Sequence, residues 1–205
     1  ELGIRGSPEP IRVDADELKE LMSGLGNGKG IIMLSGAFPD TVYSGNAGDL
    51  VFRWLDNMGT IFWLSGKIGH SASHGDGTTT AVEGSDMLFF GMEGAVRVAD
   101  SGQVRLERGK DRDIGEMFCV NTGIKTSIKT GEVTDGLSEA IGGRTLSIGF
   151  ADTDGYGSTV LTDRGAGKGM IVVFGGGLTM DVRVAAAQVI ASGISYNVNA
   201  AEIEF

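Results

Sequence analysis

The side chains best suited to chemistry crowd into one short stretch, GKIGHSASHGDG, which carries His70, His74 and Asp76. Two imidazoles and a carboxylate form a donor set for Zn2+ or another divalent ion, imidazole being the commonest such ligand. The spacing of His70, His74 and Asp76 matches no established metal motif, and a Gly/Ser-rich loop is more often solvated than ligating. The trio is therefore a candidate metal site weighed against a plain surface loop.

A second acidic stretch, DTDGYGSTVLTD, places Asp152 and Asp154 ahead of Gly157 and Ser158, with Asp163 where a calcium loop carries its last acid. Tyr156 stands where an oxygen-bearing ligand belongs and the last acid is Asp rather than Glu, so an Asp/Gly turn is the simpler reading. The segment SGAFPDTVYSGN supplies Phe38, Asp40, Tyr43 and Asn46. An aromatic ring beside amide and carboxylate suits sugar stacking and hydrogen bonding, although loop aromatics more often tuck against a core. The run GGGL at 175–178 precedes a helix start at Asp181, and its amides suit an anion, yet no phosphate-binding glycine pattern is completed.

These groups need a scaffold, and the hydrophobic pattern predicts one. Leu18, Leu21, Met22 and Leu25 fall on one helical face, with Asp14 as N-cap, Glu17 completing a capping box and Gly26 as the stop. IIMLS follows as a short apolar run, the mark of a strand buried on both faces. Leu50, Val51, Trp54, Leu55 and Met58 form a second helical stripe ended by Gly59, and TIFWL a second buried strand. MIVVF repeats the strand pattern near the C-terminus, before a helix from Asp181 to Gly193. DMLFF at 86–90 and TLSIGF at 145–150 read as further strands. Between about 92 and 144 short β-like pieces alternate with Gly turns and predict a β-rich insertion. The expectation is a single α/β domain with a mostly parallel sheet and helices on both faces.

In such a sheet the loops past the strands' carboxyl ends form the concave surface. Phe38, Asp40 and Tyr43 would follow the first strand, Ser65, His70 and His74 the second, and Asp152 and Asp154 a later one. Together they are the candidate ligand-binding set.

Bulk properties narrow the classes. The chain has 205 residues and a formal charge of -10, which argues against a phosphate backbone as main partner. No stretch approaches the about 18 apolar residues that span a bilayer. The Glu1 start carries neither an initiator Met nor a basic-then-apolar signal, so a trimmed or mature fragment is expected. A single cysteine, Cys119, can form neither an internal disulfide nor a cysteine zinc cluster. Gly 35 against Pro 3 is the compositional oddity; the glycines fall between apolar runs rather than in a repeat.

The helix–glycine–strand passage LVFRWLDNMGTIFWLSG resembles class I glutamine amidotransferase-like domains, particularly the trehalose-utilisation branch. The tail GAGKGMIVVFGGGLTMDVRVAAAQVIASGISY is similar to the closing strand and final helix of those families. IIMLSGAFPDTVYSGN resembles the first strand and loop of archaeal surface-protein relatives. The resemblance implies a three-layer, flavodoxin-like fold with the β-rich insertion set into it. It also implies a nucleophilic Cys in a strand-to-helix elbow, but LSGKIG places Ser65 there and no cysteine. The G-x-S-x-G pattern of serine elbows is absent as well.

Two readings follow. The preferred one is a non-catalytic amidotransferase-like module that binds a small molecule, a glycan or a neighbouring domain, within a larger extracellular or cell-surface protein. It needs no cofactor and inserts no segment into a membrane. The alternative is a metal-dependent or carbohydrate-processing enzyme using His70, His74 and Asp76. Cys119, between Met117, Phe118 and Val120, reads as a small buried hydrophobe. It is expected to resist a thiol reagent in the native protein, and rapid stoichiometric labelling would contradict this.

Overall fold

The structure, a computed structural model, describes residues 9–26, 29–64, 67–98, 106–108, 126–129, 144–147, 150–152, 156–157, 159–164, 167–174, 187 and 190. Helix α1 (Ala15–Met22) starts as its sequence dictates: the Asp14 carboxylate accepts from the amides of Asp16 and Glu17, and Glu17 accepts from the Asp14 amide. Its C-cap is Ser23 rather than Gly26, and it buries Leu18 and Met22.

Strand β1 (Gly30–Met33) leads to β2 (Phe38–Pro39), and α2 (Leu50–Asp56) to β3 (Thr60–Trp63). β4 (Ser71–Ser73) and β5 (Thr79–Ala81) precede α3 (Ser85–Phe90). Then come β6 (Val96–Val98), β7 (Leu106–Arg108), β8 (Thr126–Lys129), β9 (Arg144–Ser147), β10 (Phe150–Asp152), β11 (Tyr156–Gly157), β12 (Thr159–Asp163) and β13 (Met170–Phe174).

The principal sheet has the order β1-β3-β13-β12-β9. β1, β3 and β13 are parallel neighbours, Ile31 beside Ile61 and Ile61 beside Ile171, so the three expected core strands share one sheet. β12 runs antiparallel to both β13 and β9, which makes the sheet mixed. Every residue of β3 and β13 is buried, as apolar runs without alternation require. Ala187 and Ile190 are helical and buried.

Two expectations are corrected. DMLFF is not a strand: Ser85–Phe90 is a helical turn and a half between Gly84 and Gly91, both left-handed, and it buries Phe89 and Phe90. An apolar run of this length cannot separate strand from buried helix, and the flanking glycines decide it. TLSIGF is not one strand: β9 lies in the principal sheet and β10 in a second one. Within DTDGYGSTVLTD, β10, β11 and β12 occupy most of the segment, and β10 pairs antiparallel with β11.

The second sheet, β6-β8-β11-β10-β7, is antiparallel throughout. Its strands come from the expected β-rich span and from beyond it, and β8 lies against β12 and β13. A third sheet, β2-β4-β5, pairs β2 parallel to β4 and β4 antiparallel to β5.

Gly59 is not the left-handed terminator of α2; Met58, with φ 65, is. Glycine is required at 59 for space, because a Cβ there would strike the Trp54 indole. A Cβ on Gly169 would strike the Gly59 carbonyl, and one on Gly26 the Gly59 backbone. Gly59→Ala is therefore expected to destabilise the fold by about 3 kcal/mol, read as a lowered midpoint in urea with an unchanged slope.

Candidate functional site

The small β2-β4-β5 sheet is built from the loops that follow β1 and β3, where the sequence places its candidate residues. The GKIGHSASHGDG stretch, expected as a loop, is largely a β-hairpin: β4 turns through Asp76 and Gly77 (φ 85) into β5. The His74 amide donates to the Thr78 carbonyl at 2.9 Å, and the Asp76 carboxylate accepts from the amide and hydroxyl of Thr78 at 2.9 and 2.7 Å. Those two bonds, the hydroxyl's first, lower the Asp76 pKa from its ordinary value. The Asp-Gly pair between alternating residues is the sequence signal for this hairpin.

The β2–β4 register carries on past Pro39, where the Asp40 amide donates to the Ser73 carbonyl at 2.8 Å. Asp40 consequently stands beside His74, with Oδ2 2.7 Å from Nδ1. On the other side of the ring, Nε2 lies 2.7 Å from Thr80 Oγ1. A carboxylate only accepts, so Nδ1 carries the hydrogen, and in the neutral ring Nε2 then accepts from the threonine hydroxyl. Asp40, His74 and Thr80 thus make one hydrogen-bonded row across three strands. Side-chain exposures of 41% and 33% for Asp40 and His74 leave the row open to solvent.

Of the expected ligand contacts, Phe38 and Tyr43 are not on this surface: both are fully buried. They form its floor, Phe38 packing 4.8 Å from Trp63 and 5.5 Å from Tyr43, with Phe89 and Phe52 completing the cluster. Burial of an aromatic ring outweighs what a solvent-facing contact offers it. The Tyr43 hydroxyl donates to the Gly69 carbonyl at 2.8 Å, tying the floor to the chain just ahead of β4. Gly69 has φ 68, and a Cβ on it would meet Phe89 and the Tyr43 hydroxyl. The preceding loop is held by Asp49, whose carboxylate accepts from the amides of Ser44 and Asn46 at 2.6 and 2.9 Å.

His70 is exposed at the start of the hairpin. His70, His74 and Asp76 do not converge, and among the described residues no group of three His, Cys, Asp or Glu side chains is placed to hold a metal ion. Both ring nitrogens of His74 are already engaged. Asp152 closes β10 in the second sheet, while Ser65, Asp154 and Cys119 lie outside the described residues.

Sequence reasoning missed Thr80, and also Asp86, which is 6% exposed and sits 3.5 Å from Lys67 Nζ while accepting from the Val96 amide. Among the described residues no helix is long and apolar enough to cross a membrane. No family model, curated protein or solved structure matches the chain.

Burial first, and then the Asp49 carboxylate, push the Tyr43 phenol up from 10.0 to about 12. The fold favours the neutral phenol, so its contribution is complete below pH 10 and is lost as the pH rises toward 12. Alkaline unfolding in that window should be blunted in Tyr43→Phe. At neutral pH the same variant should lose about 1–3 kcal/mol, because the Gly69 carbonyl is left unpaired.

Proposed function

We propose that this chain is a ligand-binding module on a three-layer, flavodoxin-like frame of the class I glutamine amidotransferase type, belonging to a larger surface-anchored protein. The frame is supported by the β1-α2-β3 unit with β13 parallel beside it. The observation that carries the binding reading is the open rim of the small sheet, where Asp40, His70, His74 and Thr80 present carboxylate, imidazole and hydroxyl groups above a packed aromatic floor. Because the floor's rings are covered, the ligand is held by hydrogen bonds rather than by stacking. That chemistry fits a small polar molecule or a glycan, and the acidic surface disfavours polyanions.

The outer edge of β5 favours a second reading. The Val82 amide donates to the His70 carbonyl and the His74 amide to the Thr78 carbonyl, so the alternation of the ladder turns the backbone groups of Thr79 and Ala81 outward. A strand from a neighbouring domain could add there.

A glycan array followed by amide shift mapping separates the two. Binding at the rim should perturb residue 40 and residues 70–81, and His70→Ala should weaken it about tenfold, the worth of one hydrogen bond. Binding that His70→Ala and Asp40→Asn both leave intact, or that maps to the second sheet, contradicts the rim reading.

A further inference from the structure

We infer that Thr80 is an acyl-accepting nucleophile, with His74 as its general base and Asp40 as the residue that positions the imidazole, and that the substrate class is a carboxylic ester with a small acyl group. The inference rests on the rim as the ligand site and goes beyond binding. It stands on two independent features of the hairpin.

The first is the row itself. A nucleophile and base within hydrogen-bond reach, the base oriented by a third group, is the general signature of an activated hydroxyl. Here the two links are both 2.7 Å, and in the neutral ring the Asp40 carboxylate selects the tautomer that leaves the Nε2 lone pair facing Thr80. The second feature is the amide of Ala81, the residue after the nucleophile. It points out of the sheet's outer strand, because the bonds from Val82 to His70 and from His74 to Thr78 set the alternation of the ladder. An outward-facing amide next in sequence to an attacking hydroxyl can donate to a developing oxyanion.

The reaction balances with water alone. Thr80 Oγ1 bonds to the ester carbonyl carbon while its proton passes to His74 Nε2. The tetrahedral adduct collapses with cleavage of the carbon–alkoxy bond, and the departing alkoxide takes the proton from Nε2. Water, deprotonated by the freed Nε2, then attacks acyl-Thr80, releases the carboxylic acid and restores the hydroxyl. The rim is exposed and its hydroxyl is secondary, so small acyl groups on good leaving groups are accepted, whereas amides, which need a deeper cradle and stronger leaving-group protonation, are not.

The probe is p-nitrophenyl acetate, with intact-mass and peptide mass spectrometry of the quenched protein. The expected result is one acetyl group on Thr80 and turnover that falls at least about a hundredfold in Thr80→Val and His74→Phe, the scale of general-base catalysis. Thr80→Ser should retain or raise the activity, and shift mapping on it shows that the hairpin is intact. Asp40→Asn should lower kcat by a larger factor than it raises KM, and shift mapping on it should show the hairpin intact, a combination that loss of structure would not produce. Hydrolysis that persists in Thr80→Val, as a bare surface imidazole would give, overturns the inference, and so does the absence of acetyl-Thr80. Glycan binding at the rim without acylation would leave the binding reading standing and remove this one.

Discussion

Three backbones meet at the amino ends of the parallel strands with no room for a side chain among them, and the arrangement of the principal sheet depends on that contact. Gly26, Gly59 and Gly169 stand just ahead of β1, β3 and β13. Bonds between main-chain groups fix the approach: the Gly26 amide to the Asn57 carbonyl at 2.9 Å, Gly169 to Leu55 at 2.6 Å, and Met170 to Gly59 at 3.2 Å. The strands therefore enter the sheet level with one another, with Thr60 opposite both Gly30 and Met170. Glycine costs backbone entropy in any fold; here the cost is offset by the register it permits.

A level start delivers the carboxyl ends of β1 and β3 side by side, and the loops that leave them are forced into the same space. Their aromatic residues fill it first. Phe38 and Tyr43 from one loop meet Trp63 from β3 and Phe89 from α3, and the polar residues of both loops are displaced outward onto the β2-β4-β5 sheet. The rim is thus a consequence of core packing: what is too polar to be buried ends up collected at one edge.

The parts of this arrangement that follow from local pattern were legible in the sequence. The Asp14/Glu17 capping box and the apolar runs of β1, β3 and β13 announce themselves because capping chemistry and two-sided burial leave a mark on neighbouring residues. The helix at Ser85–Phe90 did not, since six residues carry too little periodicity to distinguish it from a strand. Asp40 and His74 could each be singled out, but their partnership spans 34 positions and exists only because β2 and β4 pair in parallel. The burial of Phe38 and Tyr43 was likewise illegible, because it depends on Phe89 reaching them from a helix the pattern concealed.

The row of Asp40, His74 and Thr80 joins structure to chemistry in a way that limits both. One imidazole serves two strands: its Nδ1 hydrogen holds β2's extension and its Nε2 lone pair holds β5. A ring carrying hydrogen on both nitrogens would still satisfy Asp40, but Nε2 would then donate and Thr80 would have to turn its hydroxyl round to accept. The hairpin would keep its contact while the hydroxyl lost the base that could take its proton. Conversely, any change that lets the ring rotate away breaks the one contact between Nε2 and Thr80, so β5 is loosened and the hydroxyl loses its base together. The tautomer that the carboxylate selects is therefore the single state in which the small sheet is closed and the hydroxyl has a base to attend it, and the parallel pairing of β2 with β4 is what makes that selection.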